Sequence, residues 1–515
     1  MIVLLLKKDK PRSSIIHKIT TNNKNVYCKV RKQIVLYITD TRYDRYGYLT
    51  FELKGYISMK RVISALILAA FVLTLSAAAG CKSTDSGNDA SATYKGDVIP
   101  GGTAEVTQDV MDALQNSGNV STYVLTDDKT SRKPLTLGWF YDENFIEYFE
   151  QVYGGTIETV YTTWEGWENK FISDFAAGDA PDLIYNMAKL WPKTGNRGMV
   201  YSNEELQELG VLGLDHPMLQ DGIETVERNF TFKDETYGFA LHSSMCFWAI
   251  VNTDLFAQYN VKSPVDYYNE GLWNLDALVE AGNALVKAAG TDESGNKAVT
   301  GYYCWDPTVL VRANGQQIVG INAQTGELTL NMDKNEVLAA FEIYSNGMKS
   351  DGFMSTKDTF NKGNTGILAA TDENLVSALK DITFNWEIIP FPKGSANTNG
   401  QLPGSVRAWC VTSSSQNPQG AVNLVIALKA ALKDDMFDID EYDIVNILGD
   451  KQETLQMISD NAPYGVNDNM YGVGNLWSKQ FDFWTALRQG TANEVVQTYT
   501  PMFNAQVQQE AMSTK

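Results

Sequence analysis

Between residues 135 and 185, short strand-like segments alternate with amphipathic helical segments, and this alternation constrains the fold more than any other feature of the sequence. The predicted strands cover 135–140, 156–162 and 181–185, and the predicted helices cover 144–153 and 167–177. Strands separated by helices at this spacing favour an open, mainly parallel α/β sheet. In such sheets, ligands lie beyond the carboxyl ends of the strands.

Aromatic and polar side chains concentrate where these predicted strands end. At or soon after the three strand ends the sequence has Trp139, Tyr141, Trp164, Glu165, Asn186 and Trp191. Apolar rings combined with a few polar groups are typical of a cleft for a small, partly apolar ligand. The sequence therefore predicts a binding site along this edge of the sheet.

The segment 237–278 is the second organising feature. It opens on a Tyr-Gly turn, continues through an apolar run and breaks at a Val-Asn-Thr-Asp sequence, after which two helices are predicted. We interpret 247–253 as the first of about three passages between two lobes, and 406–412 as a return passage beside it. On this interpretation His242 and Ser243 lie at the wall of a ligand cleft.

Five short motifs occur in an order that resembles one known family. They are FE…YGG at 149–155, FAAGDAPDLI at 175–184, YGFA at 237–240, VNTDLF at 251–256 and a helix start at Trp273. The series resembles the extracellular solute-binding proteins of ABC importers, family 1, sugar-binding type, over about residues 134–510. Ala240 and Val251 stand where family members usually have Pro and Tyr.

The resemblance implies a two-lobe α/β fold of the type II periplasmic-binding-protein class, with the ligand cleft between lobes that are joined by hinge crossings. One lobe would combine 134–248 with 409–450, and the other would combine 252–406 with 455–515. The implied function is capture of a carbohydrate, in particular an oligosaccharide, by closure of the lobes and delivery to an ABC permease. The protein would act as a monomer without a cofactor and would not be an enzyme. The partner would hydrolyse ATP, so no phosphate-binding loop is expected in this chain.

Tryptophans at predicted strand ends and passages suit a sugar ligand. A pyranose ring has an apolar C–H face that stacks on an indole, and a rim of hydroxyls that bonds to Asp, Glu, Asn and Arg side chains. Burying roughly 100 Å² of that face would contribute about 2.5 kcal/mol. Besides the strand-end and cleft-wall residues named above, the ligand-binding candidates are Trp305, Asp306, Asp372, Glu373, Arg407 and Trp409.

Other functions stay open at this point. The ligand could be a peptide or another polar solute instead of a sugar. The chain could also be a secreted carbohydrate-active enzyme, although nothing in the sequence places the pair of carboxyl groups that glycoside hydrolysis needs. A sensory or adhesive lipoprotein that uses the same fold without transport is a further alternative.

Sequence signatures of catalysis and metal binding are absent. The motifs G-x-S-x-G, H-E-x-x-H, G-x-x-x-x-G-K-[ST] and G-x-G-x-x-G do not occur. The acidic loop 292–296 lacks the Gly and Glu positions of a calcium loop, so no metal site is predicted. Only His216 and His242 follow the predicted signal segment. The formal net charge of −20 argues against a nucleic-acid partner.

Residues 59–80 have the basic, apolar and small-residue regions of a secretory signal, and Cys81 follows at the position of a lipid-modified cysteine. Ala78 stands where lipoprotein signals usually have Leu, so ordinary signal cleavage is the alternative. We expect 1–58 to be a mis-assigned N-terminal extension, with a basic cytoplasmic extension as the alternative. We expect 81–133 to be the lipidated cysteine and a flexible tether.

These expectations place the protein in the cell membrane, lipid-anchored on the extracellular face, which is the periplasmic side in a Gram-negative source. Three further cysteines, Cys246, Cys304 and Cys410, lie among apolar or aromatic residues without metal-type spacing. They are predicted to be buried free thiols.

Overall fold

The computed structural model describes residues 6–7, 38–43, 48–53, 107–126, 143–163, 166–186, 189–240, 246–379, 382–433, 448 and 451–513. These residues fall into two compact units, 1–88 and 89–515. The first unit contains an antiparallel sheet of β1 (Leu6–Lys7), β2 (Ile38–Tyr43) and β3 (Tyr48–Leu53), with β3 in the centre. The predicted signal segment and Cys81 lie outside the described residues.

The second unit contains fifteen described strands and the helices that connect them. In chain order the strands are β4 (Gly118–Thr126), β5 (Gly155–Thr163), β6 (Leu183–Asn186), β7 (Thr231–Phe232), β8 (Glu235–Thr236), β9 (Phe239–Ala240), β10 (Phe247–Asn252), β11 (Thr300–Tyr303), β12 (Val319–Ile321), β13 (Leu328–Leu330), β14 (Thr365–Thr371), β15 (Trp386–Pro390), β16 (Leu402–Pro403), β17 (Ala408–Val411) and β18 (Gly465–Val466).

The described α-helices of this unit are α1 (Gln108–Leu114), α2 (Glu143–Tyr153), α3 (Trp167–Ala177), α4 (Lys193–Asn196), α5 (Asn203–Glu208), α6 (Pro217–Gln220), α7 (Ile223–Phe230), α8 (Thr253–Gln258), α9 (Pro264–Asn269), α10 (Leu275–Ala289), α11 (Thr308–Ala313), α12 (Asn335–Gly347), α13 (Asp372–Leu379), α14 (Pro418–Lys433), α15 (Gln452–Asn461), α16 (Leu476–Gln489) and α17 (Ala492–Ala511). Short 3₁₀ turns cover Phe360–Lys362, Ala462–Tyr464 and Asn469–Tyr471. Among the described helices, none is both long and apolar enough to cross a bilayer.

Local sequence signals explain several of these element boundaries. Helix α3 ends at Gly178, whose φ of 80° places it in the left-handed region that glycine adopts without strain. Helix α10 begins after Asn274, whose side chain accepts a hydrogen bond from the Ala277 amide at 2.9 Å. The predicted helix over 167–177 is confirmed with the same bounds, and the predicted strand over 156–162 is confirmed as β5.

The first lobe is built on a five-stranded sheet with the order β5-β4-β6-β17-β9. Strands β4, β5 and β6 are parallel, and β17 is antiparallel to both of its neighbours. Helix α14 packs against β4, and its buried apolar side chains share a core with those of α2 and the sheet. The sequence supplies this lobe from 107–240 and 408–433, so two distant parts of the chain form one core.

Strand β4 was not anticipated from the sequence. It lies within 81–133, which the composition suggested to be a tether, and yet it is paired with β5 along its whole length. Val120 and Thr122 of this strand are fully buried. The predicted strand over 135–140 lies outside the described residues.

The second lobe is built on a four-stranded sheet with the order β11-β14-β10-β15. Strand β10 is central, and its side chains are buried on both faces of the sheet. Phe247, Ala249 and Val251 lie in a large core with α10, α12, α16 and α17, and the alternating Trp248 and Ile250 lie in a smaller core on the other face. This burial on both faces is why the β10 sequence is continuously apolar.

In the described part of the chain, three segments run between the lobes, and we call them crossings. The first joins Ala240 to Phe247, the second joins Pro390 to Ala408, and the third joins α14 to α16. The first change of sheet therefore occurs before 247–252, which is strand β10 itself. The predicted domain bounds, which place 249–251 between the lobes, remain predictions.

The three crossings lie side by side. Strand β16 of the second crossing pairs in parallel with β18 of the third. The backbone of Cys246 in the first crossing forms an isolated antiparallel β-bridge with that of Gly404 in the second. A Cβ at Gly404 would lie 2.8 Å from the Val466 amide nitrogen, so only glycine allows the second and third crossings to approach this closely. Because the three crossings lie side by side, they form one packed unit between the lobes.

Candidate functional site

One edge of the first-lobe sheet collects the ends of four strands. Strands β4, β5 and β6 end there at Thr126, Thr163 and Asn186, because the three strands are parallel. Strand β9 also ends there, since Ala408 pairs with both Asn186 and Ala240 across the sheet. This is the edge at which an α/β sheet binds its ligands.

Of the candidates predicted on this edge, Trp164 and Glu165 directly follow the end of β5 in the sequence. Those that lie outside the described residues are Trp139, Tyr141, Trp164, Glu165, His242 and Ser243. The backbone of Asn186 is described as the last residue of β6, but its side chain is not. These candidates stay predictions.

Arg407 is the candidate whose side chain is described on this edge. It precedes β17, is half-buried, and holds its guanidinium carbon 5.7 Å from the centre of the Tyr185 ring. Tyr185 in turn packs against Trp409, with ring centres 4.8 Å apart. The edge therefore combines a cation with an aromatic surface, an arrangement stabilised by the attraction of a cation to a ring face.

An equivalent edge of the second-lobe sheet lies at the other end of the first two crossings. Strands β11 and β14 are parallel and end there at Tyr303 and Thr371, and β10 begins there because Phe247 pairs with Thr371. Asp372 and Glu373 are the first residues of α13 and follow Thr371 directly, although their side chains are not described. The first and second crossings thus connect the ligand-binding edges of the two sheets.

Trp305 is the exposed aromatic residue on this second edge. It follows β11, has half of its surface exposed, and packs its ring 5.7 Å from the ring of Phe247. Every other tryptophan in the described part of the chain is at least partly buried. An indole held by a buried neighbour and open to solvent on its remaining surface is suited to stack on a ligand.

The neighbouring candidate Asp306 points inward. Its side chain is only 3% exposed and forms an ion pair with the equally buried Arg312. Its carboxylate also accepts hydrogen bonds from the Thr308 amide at 3.0 Å, the Thr308 hydroxyl at 2.6 Å and the Tyr471 hydroxyl. The Asp306 carboxylate therefore has its ion-pair and hydrogen-bond partners inside the protein.

Trp191 and Trp409 also lie in the protein interior. Trp191 is 2% exposed and packs against Phe230 and Tyr237, with ring centres 5.3 Å and 5.4 Å away. Trp409 is 1% exposed and lies in the same first-lobe core. Of the candidate side chains that the structure describes, only Trp305 and Arg407 combine a place at a ligand-binding edge with access to solvent.

A model of one protein family matches residues 136–432, which is more than half of the chain. Its description is bacterial extracellular solute-binding protein. The chain belongs to this family. The resemblance stated from the sequence motifs is thereby confirmed.

Solved structures of solute-binding proteins share the fold at low sequence identity. An ABC substrate-binding protein from Listeria monocytogenes in complex with cycloalternan is 13% identical, with a TM-score of 0.55 over 77% of this chain and 100% of that one. The galacto-N-biose-/lacto-N-biose I-binding protein from Bifidobacterium longum is 11% identical, with a TM-score of 0.55 over 77% of this chain and 98% of that one.

A third similar structure was solved with a ligand that is not a sugar. UgpB from Mycobacterium tuberculosis, in complex with glycerophosphocholine, is 13% identical, with a TM-score of 0.53 over 76% of this chain and 99% of that one. No curated protein sequence matches this chain. The predicted fold class, a two-lobe α/β fold of the periplasmic-binding type, is confirmed by these likenesses.

Cys304 and His216 of this solute-binding protein have environments that favour their neutral forms. Burial raises the pKa of Cys304 to about 12, so its thiol stays protonated at neutral pH and is a poor nucleophile. Burial lowers the pKa of His216, whose Nδ1 accepts a hydrogen bond from the Met218 amide at the start of α6. Cys246, Cys304 and Cys410 are buried and form no disulfide among the described residues, as predicted.

The described residues contain no group of three or more His, Cys, Asp or Glu side chains placed to hold a metal ion. The acidic loop at 292–296 uses its Asp292 carboxylate internally, as acceptor for the Ser294 and Asn296 amides at 2.9 Å each. In the described loop this carboxylate therefore stabilises a turn.

Sequence reasoning missed the residues that hold the solute-binding protein's candidate site in place. Arg312 lies in a helix that is otherwise apolar, Thr-Val-Leu-Val-Arg-Ala, and all six of its residues are buried. A single charge in such a helix is a signal for a buried ion pair, since an unpaired buried charge is strongly destabilising. The partners Phe247, Gly404 and Tyr471 carry no comparable signal.

Proposed function

We propose that this protein captures a carbohydrate, an oligosaccharide in particular, between its two lobes and delivers it to the transmembrane subunits of an ABC importer. Membership of the solute-binding family supports the capture role. The observation that carries the carbohydrate part is the exposed indole of Trp305, supported by Phe247 where the first crossing enters the second lobe. Two proteins of similar fold were solved with or named for sugars, cycloalternan and lacto-N-biose.

The physical basis is the match between an indole face and a pyranose ring. Stacking that covers roughly 100 Å² of the sugar's C–H face contributes about 2.5 kcal/mol. The hydroxyl rim then needs polar partners, and Arg407 with Asn186 on the opposite lobe would supply them. Glu165, Asp372 and Glu373, which border the same two edges in the sequence, are proposed as further partners.

Contacts from both lobes would make ligand binding favour the closed state. A ligand shifts the equilibrium between open and closed forms only through its different affinity for the two. Trp305 lies on one edge and Arg407 on the other, and two crossings connect those edges. A sugar that contacts both residues therefore binds the closed form more tightly, and a permease can recognise that form.

The decisive experiment is a thermal-shift screen of the purified protein against oligosaccharides, with monosaccharides as size controls. A bound ligand raises the melting temperature as its concentration exceeds Kd. We expect an oligosaccharide to do so, and Trp305→Ala to weaken its affinity about 50-fold, the equivalent of ~2.5 kcal/mol. Tyr268→Ala is the matched control, because Tyr268 is an exposed aromatic residue of α9 that is not among the ligand-binding candidates.

Two results would contradict the proposal. One is the absence of any shift over the whole panel. The other is an equal loss of affinity in Trp305→Ala and Tyr268→Ala, which would show that the Trp305 indole is not part of the binding site.

A different polar solute is the second candidate, and one observation favours it. The Arg407 guanidinium beside Tyr185 suits an anionic or zwitterionic headgroup, and UgpB, of similar fold, was solved with glycerophosphocholine. Glycerophosphodiesters and short peptides therefore belong in the same panel. A shift with a glycerophosphodiester that is lost in Arg407→Gln would replace the carbohydrate proposal.

We also propose that the protein performs no chemistry on its ligand. Release of reducing sugar from an oligosaccharide by the wild type, abolished by Glu165→Gln or Glu373→Gln, would contradict this.

The membrane anchor at Cys81 and the monomeric state are further parts of the proposal. They rest on the sequence of 59–81 and on the family resemblance, respectively. Mass analysis of the native protein should show a diacylglyceryl modification at Cys81 that Cys81→Ala removes. Sedimentation of the detergent-free, unlipidated protein should give a single monomeric species.

A further inference from the structure

One buried guanidinium contacts all three crossings. Arg312 donates through Nη1 to the Gly404 carbonyl of the second crossing, and to the Val466 carbonyl of the third at 3.4 Å. Its guanidinium carbon lies 5.3 Å from the ring centre of Phe247, the residue at which the first crossing ends. Arg312 itself belongs to α11 of the second lobe.

The charge of Arg312 is balanced at the same place. Asp306 pairs with Nη2, and the Thr308 hydroxyl accepts from Nη2 at 2.9 Å. The Tyr471 hydroxyl, at the end of the third crossing, donates to the Asp306 carboxylate. We call Asp306, Thr308, Arg312, Gly404, Val466 and Tyr471 the crossing cluster.

The crossing cluster is also next to the proposed ligand contact. Trp305 precedes Asp306 in the chain, and the Phe247 ring contacts both the Trp305 ring, at 5.7 Å, and the Arg312 guanidinium. A ligand that moves or fixes Trp305 therefore acts on residues that touch the cluster directly. The described structure offers a continuous packed connection from the candidate site to the crossings.

Rotation of one lobe against the other changes the backbone of the crossings, because they link the lobes covalently. The carbonyls of Gly404 and Val466 must move relative to α11 when this happens. A planar guanidinium with donors in fixed directions is satisfied by few positions of those carbonyls. Its hydrogen bonds would therefore favour one angle between the lobes over the others.

We propose that Arg312 is a positioning residue, which selects the angle between the lobes and couples it to the ligand contact at Trp305. The coupling to ligand rests on the proposed capture function, but the selection of the angle does not. A lysine in its place keeps the positive charge for Asp306 but cannot donate to two separate carbonyls in the same fixed directions. The Arg312→Lys variant thus tests the direction of the hydrogen bonds separately from the positive charge.

The test is the distribution of distances between the lobes, measured by electron spin resonance. Spin labels are placed through Leu212→Cys in the first lobe and Leu272→Cys in the second, both exposed positions. Cys28 and Cys81 are replaced by serine, and the remaining native cysteines, Cys246, Cys304 and Cys410, are buried and do not compete for the label. Distances are measured in the ligand-free protein and then with maltotetraose and lacto-N-biose as probes.

In the ligand-free protein we expect Arg312→Lys to shift or at least double the width of the distance distribution. The matched control Arg488→Lys should leave it unchanged, because Arg488 is a second-lobe arginine whose hydrogen bonds to described residues go to Trp484 and Thr485 of its own helix. An unchanged distribution in a folded Arg312→Lys protein would overturn the proposal.

A second variant covers the case in which Arg312→Lys does not fold. Tyr471→Phe removes only the hydroxyl that holds Asp306. It should broaden the distribution in the ligand-free protein, and an unchanged width would again overturn the proposal. If neither sugar narrows the wild-type distribution, the proposed capture of these sugars fails while the ligand-free comparison still decides the role of Arg312.

Discussion

Two of the junctions between the lobes differ in how deeply their ion pairs are buried. The crossing cluster joins the lobes where the chain passes between them, and both members of its ion pair, Arg312 and Asp306, are at most 3% exposed. At the second junction, which we call the side contact, residues 189–197 of the first lobe meet 472–477 and Glu510 of the second. There Glu510 is fully buried, but its partner Arg197 is one-third exposed.

The side contact joins the lobes through polar and cation–ring contacts, and Lys193 also forms an ion pair within the first lobe. Arg197 pairs with Glu510 at 2.7 Å, and Asn196 donates to the Glu510 carbonyl at 2.8 Å. Lys189 lies 4.2 Å from the Trp477 ring, and Lys193 bonds to the Gly474 carbonyl at 3.4 Å and pairs with Glu168 at 2.6 Å. Arg197 is thus already in contact with solvent, whereas both ions of the crossing cluster are buried.

Ion pairs of the same chemical type therefore have different roles at the two junctions, because they differ in burial. A buried pair in a covalent junction cannot lose one partner without leaving a charge in the interior, so it resists disruption. A pair with one hydrated member can open at a smaller cost, because the exposed ion regains water. The crossing cluster is therefore suited to define an angle, and the side contact is suited to open and close.

The largest expected effect is at the crossing cluster. Asp306→Ala leaves Arg312 buried without its anion, which should lower the free energy of unfolding by about 3–5 kcal/mol. Urea denaturation followed by circular dichroism measures this. A loss below about 1 kcal/mol would show that water reaches Arg312 and would remove the distinction between the junctions.

A smaller effect is expected at the side contact. Glu510→Gln keeps the side-chain volume but removes the charge that Arg197 and Asn196 contact. Because Arg197 is partly hydrated, the free energy of unfolding should fall by only about 1–2 kcal/mol. The matched control is Glu270→Gln in the exposed pair with Lys262, where the change should stay below about 0.5 kcal/mol.

The comparison would be reversed if Glu510→Gln destabilised the protein more than Asp306→Ala. In that case the side contact, rather than the crossings, would be the principal junction between the lobes.

The smallest expected effect is a pH dependence of the free energy of unfolding that comes from Asp468 in the third crossing. Asp468 of the third crossing accepts hydrogen bonds from the Ile318 and Met470 amides, and burial raises the pKa of its carboxyl to about 6. The nearby Arg312 opposes this rise. Because the carboxyl has a higher pKa in the folded than in the unfolded protein, its protonated form favours folding. This stabilisation is complete below the unfolded-state pKa near 4, and it is lost as the pH rises through the folded-state pKa of about 6.

The stability due to Asp468 should therefore fall by about 1 kcal/mol between pH 5 and pH 7. Asp468→Asn, compared with wild type by urea denaturation at both values, should remove that share of the pH dependence. An identical pH dependence in the two proteins would show that Asp468 does not titrate in this range.

Local patterns predicted much of the first lobe. The helix over 167–177 and the strand over 156–162 were predicted because caps, glycines and β-branched residues act within a few positions. Strand β4 was missed, since its polar residues alternate with apolar ones in a stretch that resembles a linker. Its place in the middle of the sheet is visible only once β5 and β6 pair with it.

The candidate site was predictable only in outline. The strand ends at Thr163 and Asn186 meet at one edge, as the alternation of strands and helices implied. Which aromatic rings face solvent was not predictable, because Trp191 and Trp305 occur in similar contexts after strands. The fold buries the first under Phe230 and Tyr237 and leaves the second half exposed.

By itself the sequence determined the fold class and the family, through its alternating elements and an ordered series of motifs that a family model matches over 136–432. The tertiary structure alone decided how the lobes are joined. Arg312 meets Gly404 and Val466, which are 92 and 154 residues away along the chain. Such contacts depend on how two complete cores place the crossings, so no local pattern of residues specifies them.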